Sequence, residues 1–418
     1  MALQQATHQL HVRFHQSIRE FPRYNRFLDR PNDLDISLAA SHCLVEVGAT
    51  ASLQLASLVA SIGLEQSVVS KMVASLLRAR LVASMPDVTD KRARVLSLTR
   101  RGQLLLNSID ELSNARLTQF DRASGIKDVE LRELSETFHE LSDALNVADT
   151  ARRNKEHQLR SGIRRMTRAF GLLGRRALGS ELNTLEWQTL LSVAENPYSY
   201  RPTELALYQG VHKSTMAIAL AELERRGFIA RVADKKDGRA TYLSATKAGY
   251  RQITSIETRT ARRFSAWQGV TTRQVELLER WMRGAASVYH LDDKGLTIEP
   301  LLDESAITQA RHATAAFYLS SPLSLTIPAE LFSLRNNLYG LYRGGELVAA
   351  AELSKARRPR IVNLCFKDQL PLEALYAFLA RAADPTFMTP IEIGDEQTRA
   401  ILQPDRPVVT ALGRLFFS

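Results

Sequence analysis

The chain has 418 residues, 45% of them hydrophobic, 24% charged and 7% aromatic, which supplies two or three ordinary domains with their cores and excludes a disordered or fibrous protein. Its longest apolar stretches, such as 53–64, are broken by Ser and Gln short of the ~18–20 residues that a bilayer span needs, and the first eight residues lack the basic start and apolar run of a secretory leader. The expected location is therefore the cytoplasm. Two cysteines, Cys43 and Cys365, are too few for a disulfide framework or a four-ligand zinc site and read as packing residues; no cofactor or metal is expected.

The formal net charge of +10 is unevenly spread: residues 1–150 balance at −1, 151–290 at +13 and 291–418 at −2. A positive field confined to one segment attracts a polyanion, with nucleic acid as first candidate and an anionic membrane surface as competitor.

In chain order, 52–60 reads as a short helix, 61–64 as a turn carrying Gly63, and 65–78 as a second helix. Val68, Val69, Met72, Val73, Leu76 and Leu77 give that second helix an apolar side, while Gln66, Ser67, Ser70 and Lys71 keep its N-terminal half polar. That half would face a groove. Residues 81–83 and 93–98 read as strands about a polar hairpin holding Asp90, Lys91 and Arg92, with Arg94 on the returning strand. Helix, turn, helix and charged hairpin in this order make a winged helix.

Helical periodicity continues at 104–117 and 129–145. The next stretch, 152–176, carries nine basic residues and one acid among Ile163, Met166, Phe170, Leu172 and Leu173, and is helical in period from 160 to 178. Three readings of it stay open. It is the first helix of a second unit with its arginines on phosphates, a solvated basic helix, or a membrane-surface helix, the last disfavoured because a helix required by the fold is seldom free to enter a membrane.

The winged-helix order then returns. Residues 202–208 form a helix, 209–211 a turn with Gly210, and 213–226 a helix opened by His212, Lys213, Ser214 and Thr215. Strands at 228–232 and 240–244 flank a hairpin holding Lys235, Lys236, Asp237 and Arg239, and helical periodicity resumes at 275–288. Slid by 147 positions, 56–102 lies over 203–249 without a gap and 15 of 47 positions are identical, where chance would give roughly three at average residue usage. Duplication of one domain is the economical explanation, and two copies are too few for a solenoid.

Both copies resemble the MarR family of bacterial winged-helix regulators. The likeness is carried by Leu-Glu-Arg-Arg-Gly-Phe-Ile at 223–229, by Asp-Lys-Arg-Ala-Arg-Val-Leu-Ser-Leu-Thr at 90–99, by Asp-Gly-Arg-Ala-Thr-Tyr-Leu-Ser-Ala-Thr at 237–246, and by the Thr-x-x-Gly that closes each copy. The resemblance implies a recognition helix in the major groove and a wing arginine in the minor groove, set by the aspartate two residues before it. It carries those roles to Asp90 with Arg92 and to Asp237 with Arg239. Gln66, Ser67, Ser70 and Lys71, with His212, Lys213, Ser214 and Thr215, would supply base-edge or phosphate contacts. Lys91, Arg94, Lys235 and Lys236 complete the expected DNA-binding set. Family members are normally homodimers with intertwined terminal helices, so a chain holding both halves is expected to act as a pseudo-dimer on an asymmetric site. Its recognition helices would stand about one DNA turn apart, ~34–36 Å. A small-molecule effector is implied as well. One departure is Arg80, where the second copy has Gly227; the first wing is expected to enter at a different angle.

After a compositional shift at 290–304, helix is expected at 306–319, strands at 338–343 and 347–353 about Gly344-Gly345, then strand 361–366, helix 372–383, strand 390–393, helix 396–402 and strand 408–412. The hairpin 339–350 and the elements after it resemble the GNAT acetyltransferases. That family's pyrophosphate loop is rich in glycine and leads into a helix N-terminus; here the loop is Lys367-Asp368-Gln369-Leu370-Pro371-Leu372. It has no glycine, sets an aspartate towards the phosphates, and loses a donor at Pro371. Glu346, Glu352 and Tyr376 are of types able to act as acid or base, but nothing orients them, and no catalytic residue is nominated. No P-loop, Gly-x-Ser-x-Gly elbow or His-x-x-x-His pair occurs.

The sequence thus predicts a mainly α protein with small β wings, made of two winged helix-turn-helix domains at 1–148 and 149–290, plus a C-terminal α+β GNAT-like domain at 291–418. The expected function is a nucleoid-associated transcriptional regulator bound to double-stranded DNA, not an enzyme. The alternative is an acetyl-CoA-dependent acyltransferase carried to its targets by the winged helices, and further self-association through 291–418 stays open.

Overall fold

The computed structural model describes residues 2–27, 36–87, 93–148, 156–174, 176–195, 200–233, 241–320, 331–356, 359–367, 370, 372–383 and 392–393. The protein is mostly helical, 62%, with small sheets, and divides into two compact units, 1–118 with 127–278 and 119–126 with 279–418. Both winged helices lie in the first unit. The division falls inside a helix near 278, not after 290 as the composition implies.

In the first unit α1 (Ala2–Ile18) and α2 (Phe21–Tyr24) lead to α3 (Leu38–Gly48), β1 (Leu53–Gln54), α4 (Leu55–Ile62), α5 (Gln66–Arg78), β2 (Val82–Pro86), β3 (Arg94–Leu98), α6 (Arg100–Ser124) and α7 (Asp128–Ala144). There follow α8 (Arg160–Ala169), α9 (Thr184–Glu195), α10 (Pro202–Tyr208), α11 (Lys213–Arg225), β4 (Ile229–Ala233), β5 (Thr241–Ala245), α12 (Lys247–Arg263) and α13 (Thr272–His290). The offset of 147 maps α5 onto α11, β2 onto β4 and β3 onto β5 residue for residue. It also lays α3 over α9 and α7 over α13, which the aligned sequence segment does not reach.

Local chemistry explains the breaks. Gly63 and Gly210 end α4 and α10 in the left-handed region, φ 70° each, where a side chain is strained. Ser37 accepts from the Ala40 amide at 3.2 Å to cap α3, and Thr99 and Thr246 accept from the Gly102 and Gly249 amides at 3.0 and 3.1 Å. Beneath the first wing, Leu44 and Val47 of α3, Leu58 and Ile62 of α4, Val69, Val73 and Leu76 of α5 and Leu96 of β3 form one core, with Met72 half-buried against it. Met216, Leu220, Leu223 and Leu243 are the buried counterparts in the second copy. Val68 and Leu77, which the periodicity groups with the core side, are exposed.

Leu53–Gln54, expected to be helical, instead form a two-residue strand antiparallel to β3, Leu53 opposite Leu96. The expected helix over 160–178 ends at Ala169, because Gly171 turns the chain at φ 66°.

The helices of the two copies interlock. On one side α1 lies against α12: Phe14 is fully buried with Phe264 and Trp267 at 5.9 and 5.3 Å between ring centres, and His11 Nε2 meets the Trp267 carbonyl at 2.9 Å. On the other, α8 lies against α7, so closely that a Cβ on Gly162 would stand 2.9 Å from Phe138 Cβ. The basic run does open the second copy as a helix, but the arginines of that helix do not point outward. Arg160, Arg164 and Arg165 are buried, and four of the run's arginines pair internally: Arg160 with Asp110 at 2.8 Å, Arg164 with Glu156, Arg165 with Asp143 at 2.6 Å and Arg168 with Glu46 at 2.6 Å; Arg176 is exposed, and Arg152, Arg153, Lys155 and Arg175 lie outside the described residues. These four face carboxylates of the protein itself, not solvent or lipid.

The second unit joins the end of α6 to α13, where Trp281 Nε1 donates to Asp121 at 2.9 Å and its ring stands 5.8 Å from Phe120. It continues with β6 (Leu296–Pro300), α14 (Glu304–Ser320), β7 (Asn337–Arg343), β8 (Glu346–Leu353), β9 (Arg360–Phe366), α15 (Leu372–Ala383) and β10 (Glu392–Ile393). The sheet order is β10-β9-β8-β7-β6, antiparallel except for the parallel pair β9 and β10. β6 falls in the stretch that composition alone marks as a boundary. The expected elements at 396–402 and 408–412 lie outside the described residues, as do Asp368, Gln369 and Pro371.

Candidate nucleic-acid interface

On α5 the core takes Val69, Val73 and Leu76, which leaves Gln66, Ser67 and Lys71 exposed and Ser70 half-buried. On α11 the core takes Met216, Ala219, Leu220 and Leu223, which leaves Lys213, Ser214 and Thr215 exposed. His212 is exposed too, but its ring works locally: Nδ1 accepts from the Ser214 amide at 3.3 Å and lies 2.7 Å from the Ser214 hydroxyl, capping the helix. At the far end of α11, hydrogen bonds from Arg225 and Arg226 hold Glu222 down to about 2, so both guanidiniums already face a carboxylate. Among the described residues Lys213, at the N-terminus of α11, faces no carboxylate.

The wing stems share one register. Val82 pairs with Leu98 and Pro86 with Arg94 in the first, Ile229 with Ala245 and Ala233 with Thr241 in the second. In the first stem the Asp87 amide closes on the Ala93 carbonyl at 3.0 Å, and Gln54 Nε2 donates to Asp87 at 2.7 Å. Arg94 is exposed, yet its Nε and Nη2 are held by Ser84 Oγ and Ser84 O at 2.7 and 3.0 Å. The remaining expected contacts, Asp90, Lys91, Arg92, Lys235, Lys236, Asp237 and Arg239, lie outside the described residues.

A buried ionic layer adjoins α3 and α8. Burial, then the guanidiniums of Arg168, Arg164 and Arg160, hold the His42 ring well below its ordinary range, so it is neutral. Arg168 makes its bond to Glu46 through Nη2, while its Nε and Nη1 and the Nδ1 of His42 have no hydrogen-bond partner among the described residues. A second buried cluster forms where Arg19 donates to Glu195 and Glu257 and Arg23 donates to Glu20. The sequence conceals both layers because each joins residues more than a hundred positions apart. Burial pushes the Cys43 thiol up to about 12 and raises that of Cys365, as packing residues require.

In the second unit, Glu352 is 1% exposed and accepts from the Phe332 and Ser333 amides at 2.8 and 3.0 Å, from Asn336 Nδ2 at 2.7 Å and from Asn363. With both oxygens occupied it fixes the 332–336 turn and is not poised as a base. Glu346 is exposed and paired with Lys367; the side chain of Tyr376 lies outside the described residues. Among the described residues no cluster of His, Cys, Asp or Glu is placed to hold a metal ion, and no helix is long and apolar enough to cross a membrane.

The fold and this surface define a winged-helix class of protein, and comparison makes the class more specific. A MarR-family domain is found at residues 180–240, which hold α9, α10, α11 and β4. MarR-type regulators bind DNA and small-molecule effectors. Among solved structures the chain is similar to Bordetella bronchiseptica BpsR, described for regulation of its DNA binding by 6-hydroxynicotinic acid. The identity is 20%, the match covers 30% of this chain and 94% of that one, and the TM-score is 0.26. No curated protein matches the chain.

Proposed function

We propose that the protein is a sequence-specific double-stranded-DNA-binding transcriptional regulator in which two MarR-like winged helices, duplicated within one chain, act as a pseudo-dimer on an asymmetric site. What carries the reading is the pair α5 and α11. They are helices of equal length at a fixed offset, each beyond a left-handed glycine turn, each with a polar, exposed N-terminal half, and each followed by a hairpin in the same register. The exchange of α1 onto α12 and of α8 onto α7 supports it, since interlocked helices would hold two reading heads at a fixed spacing. The contacts are assigned to Gln66, Ser67, Ser70 and Lys71 on α5, to His212, Lys213, Ser214 and Thr215 on α11, and to Asp90, Lys91, Arg92, Arg94, Lys235, Lys236, Asp237 and Arg239 on the wings.

The candidate effector site is the layer at His42 and Arg168, where unpartnered buried donors suit a small anion. The unit beyond 279 serves as an accessory domain. Its antiparallel strands followed by the parallel β9–α15–β10 step favour a GNAT-like identity and, as a second reading, acyl transfer. The glycine-free 367–372 loop argues against cofactor binding, and acetyl-CoA at a hundredfold excess over its Kd would stabilise a native-only binder by about 2.7 kcal/mol.

The deciding experiment is a footprint on the DNA upstream of the protein's own gene, at low and moderate salt. Protection over about two turns with fixed boundaries that weakens steeply with salt is the expected result; protection without boundaries, or none, overturns it.

A further inference from the structure

We infer that Ile218 selects a thymine methyl group in one half-site where Lys71 selects a guanine in the other, so that the two arms of the operator differ at that symmetry-related base pair. The assignment rests on the DNA-binding reading above and goes on to name which base each head takes.

The outer ridge of α11 carries one large apolar side chain among short ones. With Met216, Ala219, Leu220 and Leu223 buried, the opposite side presents Ser214, Ala217, Ile218 and Ala221, all exposed. Three of these are short and let the helix backbone approach a surface. The fourth projects from them. Ile218 is 73% exposed, against 40% and 37% for Val68 and Leu77, the exposed large hydrophobics of α5; those two keep more than half of their surface covered, and Ile218 keeps about a quarter. Leaving an isoleucine side chain in water forfeits the burial that such a side chain ordinarily gains, and its branched Cβ gives no compensating helix propensity. That branching does fix χ1, so the apolar tip is held in one direction.

The corresponding ridge of α5, 147 positions earlier, is Ser67, Ser70, Lys71 and Ala74. The short residues recur at their positions and the single projecting side chain differs, a lysine for an isoleucine. In a major groove these two side chains seek opposite things. The C5-methyl of thymine is the apolar feature of the base edges, and guanine presents the paired N7 and O6 acceptors that an ammonium donor suits. Equal backbones with unequal tips therefore read unequal bases.

The test is selection of binding sequences from a random duplex library with the full-length protein and with Ile218→Lys, Ile218→Ala and the conservative Ile218→Val. The wild type is expected to enrich guanine in one arm and thymine at the equivalent position of the other. Ile218→Lys should exchange that thymine for guanine and make the arms alike. Replacing the thymine by uracil, which removes only the methyl, should weaken wild-type and Ile218→Val binding about fourfold, the worth of one buried carbon, and leave Ile218→Ala unchanged. Thermal melts that match across the variants establish that the exposed site does not affect folding. Wild-type arms identical at this pair, or a uracil penalty equal in wild type and Ile218→Ala, overturn the assignment. A library from which the wild type enriches nothing overturns the proposed function itself.

Discussion

Arg80 adopts the left-handed backbone that Gly227 adopts at the corresponding point of the second copy, φ 56° against 70°. The closures match as well. The Arg80 and Leu81 amides donate to Leu77 O and Leu76 O, both at 3.0 Å, and the Gly227 and Phe228 amides donate to Glu224 O and Leu223 O at 2.8 and 2.9 Å. In each copy the first wing strand begins two residues later, so the missing glycine does not redirect the chain; the arginine is held in a strained conformation. An L residue there costs roughly 1–2 kcal/mol, and a glycine would return roughly 0.5–1 kcal/mol of that as unfolded-state entropy. Arg80→Gly is expected to raise stability by about 0.5–1 kcal/mol in urea unfolding, and an unchanged or lower midpoint would contradict this account.

The Thr-x-x-Gly that closes each copy has a steric reason. A Cβ on Gly249 would stand 2.2 Å from the Phe228 carbonyl oxygen, and one on Gly102 1.9 Å from that of Leu81. Neither carbonyl is free to swing, because each accepts from a threonine amide, Thr246 at 3.0 Å and Thr99 at 3.1 Å. Gly249→Ala should therefore cost about 3 kcal/mol, the upper end of the overpacking range, and Thr246→Ala about 1 kcal/mol as a lost cap. Thermal melts of both variants check the order; equal losses would remove the steric argument.

These examples mark what the sequence discloses. Repeat, turn glycines, threonine caps and strand pairs are local, so spacing alone reveals them; α5, α11 and three of the wing strands fall within one residue of their expected bounds, and β2 runs three residues past its expected end. The rest depends on contacts made at a distance. The strand at Leu53–Gln54 exists only because β3 runs beside it. The division inside α13 reflects the packing of Trp281 on Phe120. Counted along the chain, 152–176 is an unbalanced basic run; counted in space, Arg160, Arg165 and Arg168 of that run answer Asp110, Asp143 and Glu46.

The pair Arg168 and Glu46 tests that last statement. Both side chains are nearly inaccessible, 4% and 6% exposed at 2.6 Å, so removing one strands a buried charge. Glu46→Leu is expected to cost about 3–5 kcal/mol, whereas Glu46→Leu with Arg168→Met should be near neutral, since an apolar pair of similar volume replaces a desolvated ion pair. A double-mutant cycle in urea gives the coupling. Additive losses would mean that the two charges do not meet.

Glu195 gives a pH dependence of defined sign. Burial, opposed by Arg19 and Arg23 and reinforced by Glu20, pushes its carboxyl up to about 8, so the folded state holds a proton that the unfolded chain releases. That contribution is complete below 4.5 and is lost as pH rises through 8. Burial, then Arg19, holds His15 down to about 3, and His42 is depressed as well; these rings act in the opposite sense, only below about 6.5. Between pH 6.5 and 8 the carboxyl acts without them, and stability should fall by up to ~1.4 kcal/mol per unit. Glu195→Gln is expected to flatten that limb in urea midpoints at pH 6.5, 7.5 and 8.5, and parallel curves for the two proteins would refute it.

The salt dependence of DNA binding separates outward charge from internally paired charge. Lys71 is exposed on α5, while Arg165 is buried, bonding Asp143 at 2.6 Å and the Val147 carbonyl at 2.6 Å. A cation on a phosphate releases close to one counterion from B-DNA, so each one lost lowers the slope of log K against log salt by about one. On random-sequence duplex, where Lys71 meets no fixed guanine and its ammonium rests among the groove phosphates, Lys71→Ala should lower the slope by about one and weaken all sequences alike. Against a selected site it should relax preference at one base pair. Arg165→Met should destabilise the fold and leave the slope where it was. A reduced slope for Arg165→Met would return the 152–176 run to the phosphates, and the excess positive charge of the middle third would then belong to the interface.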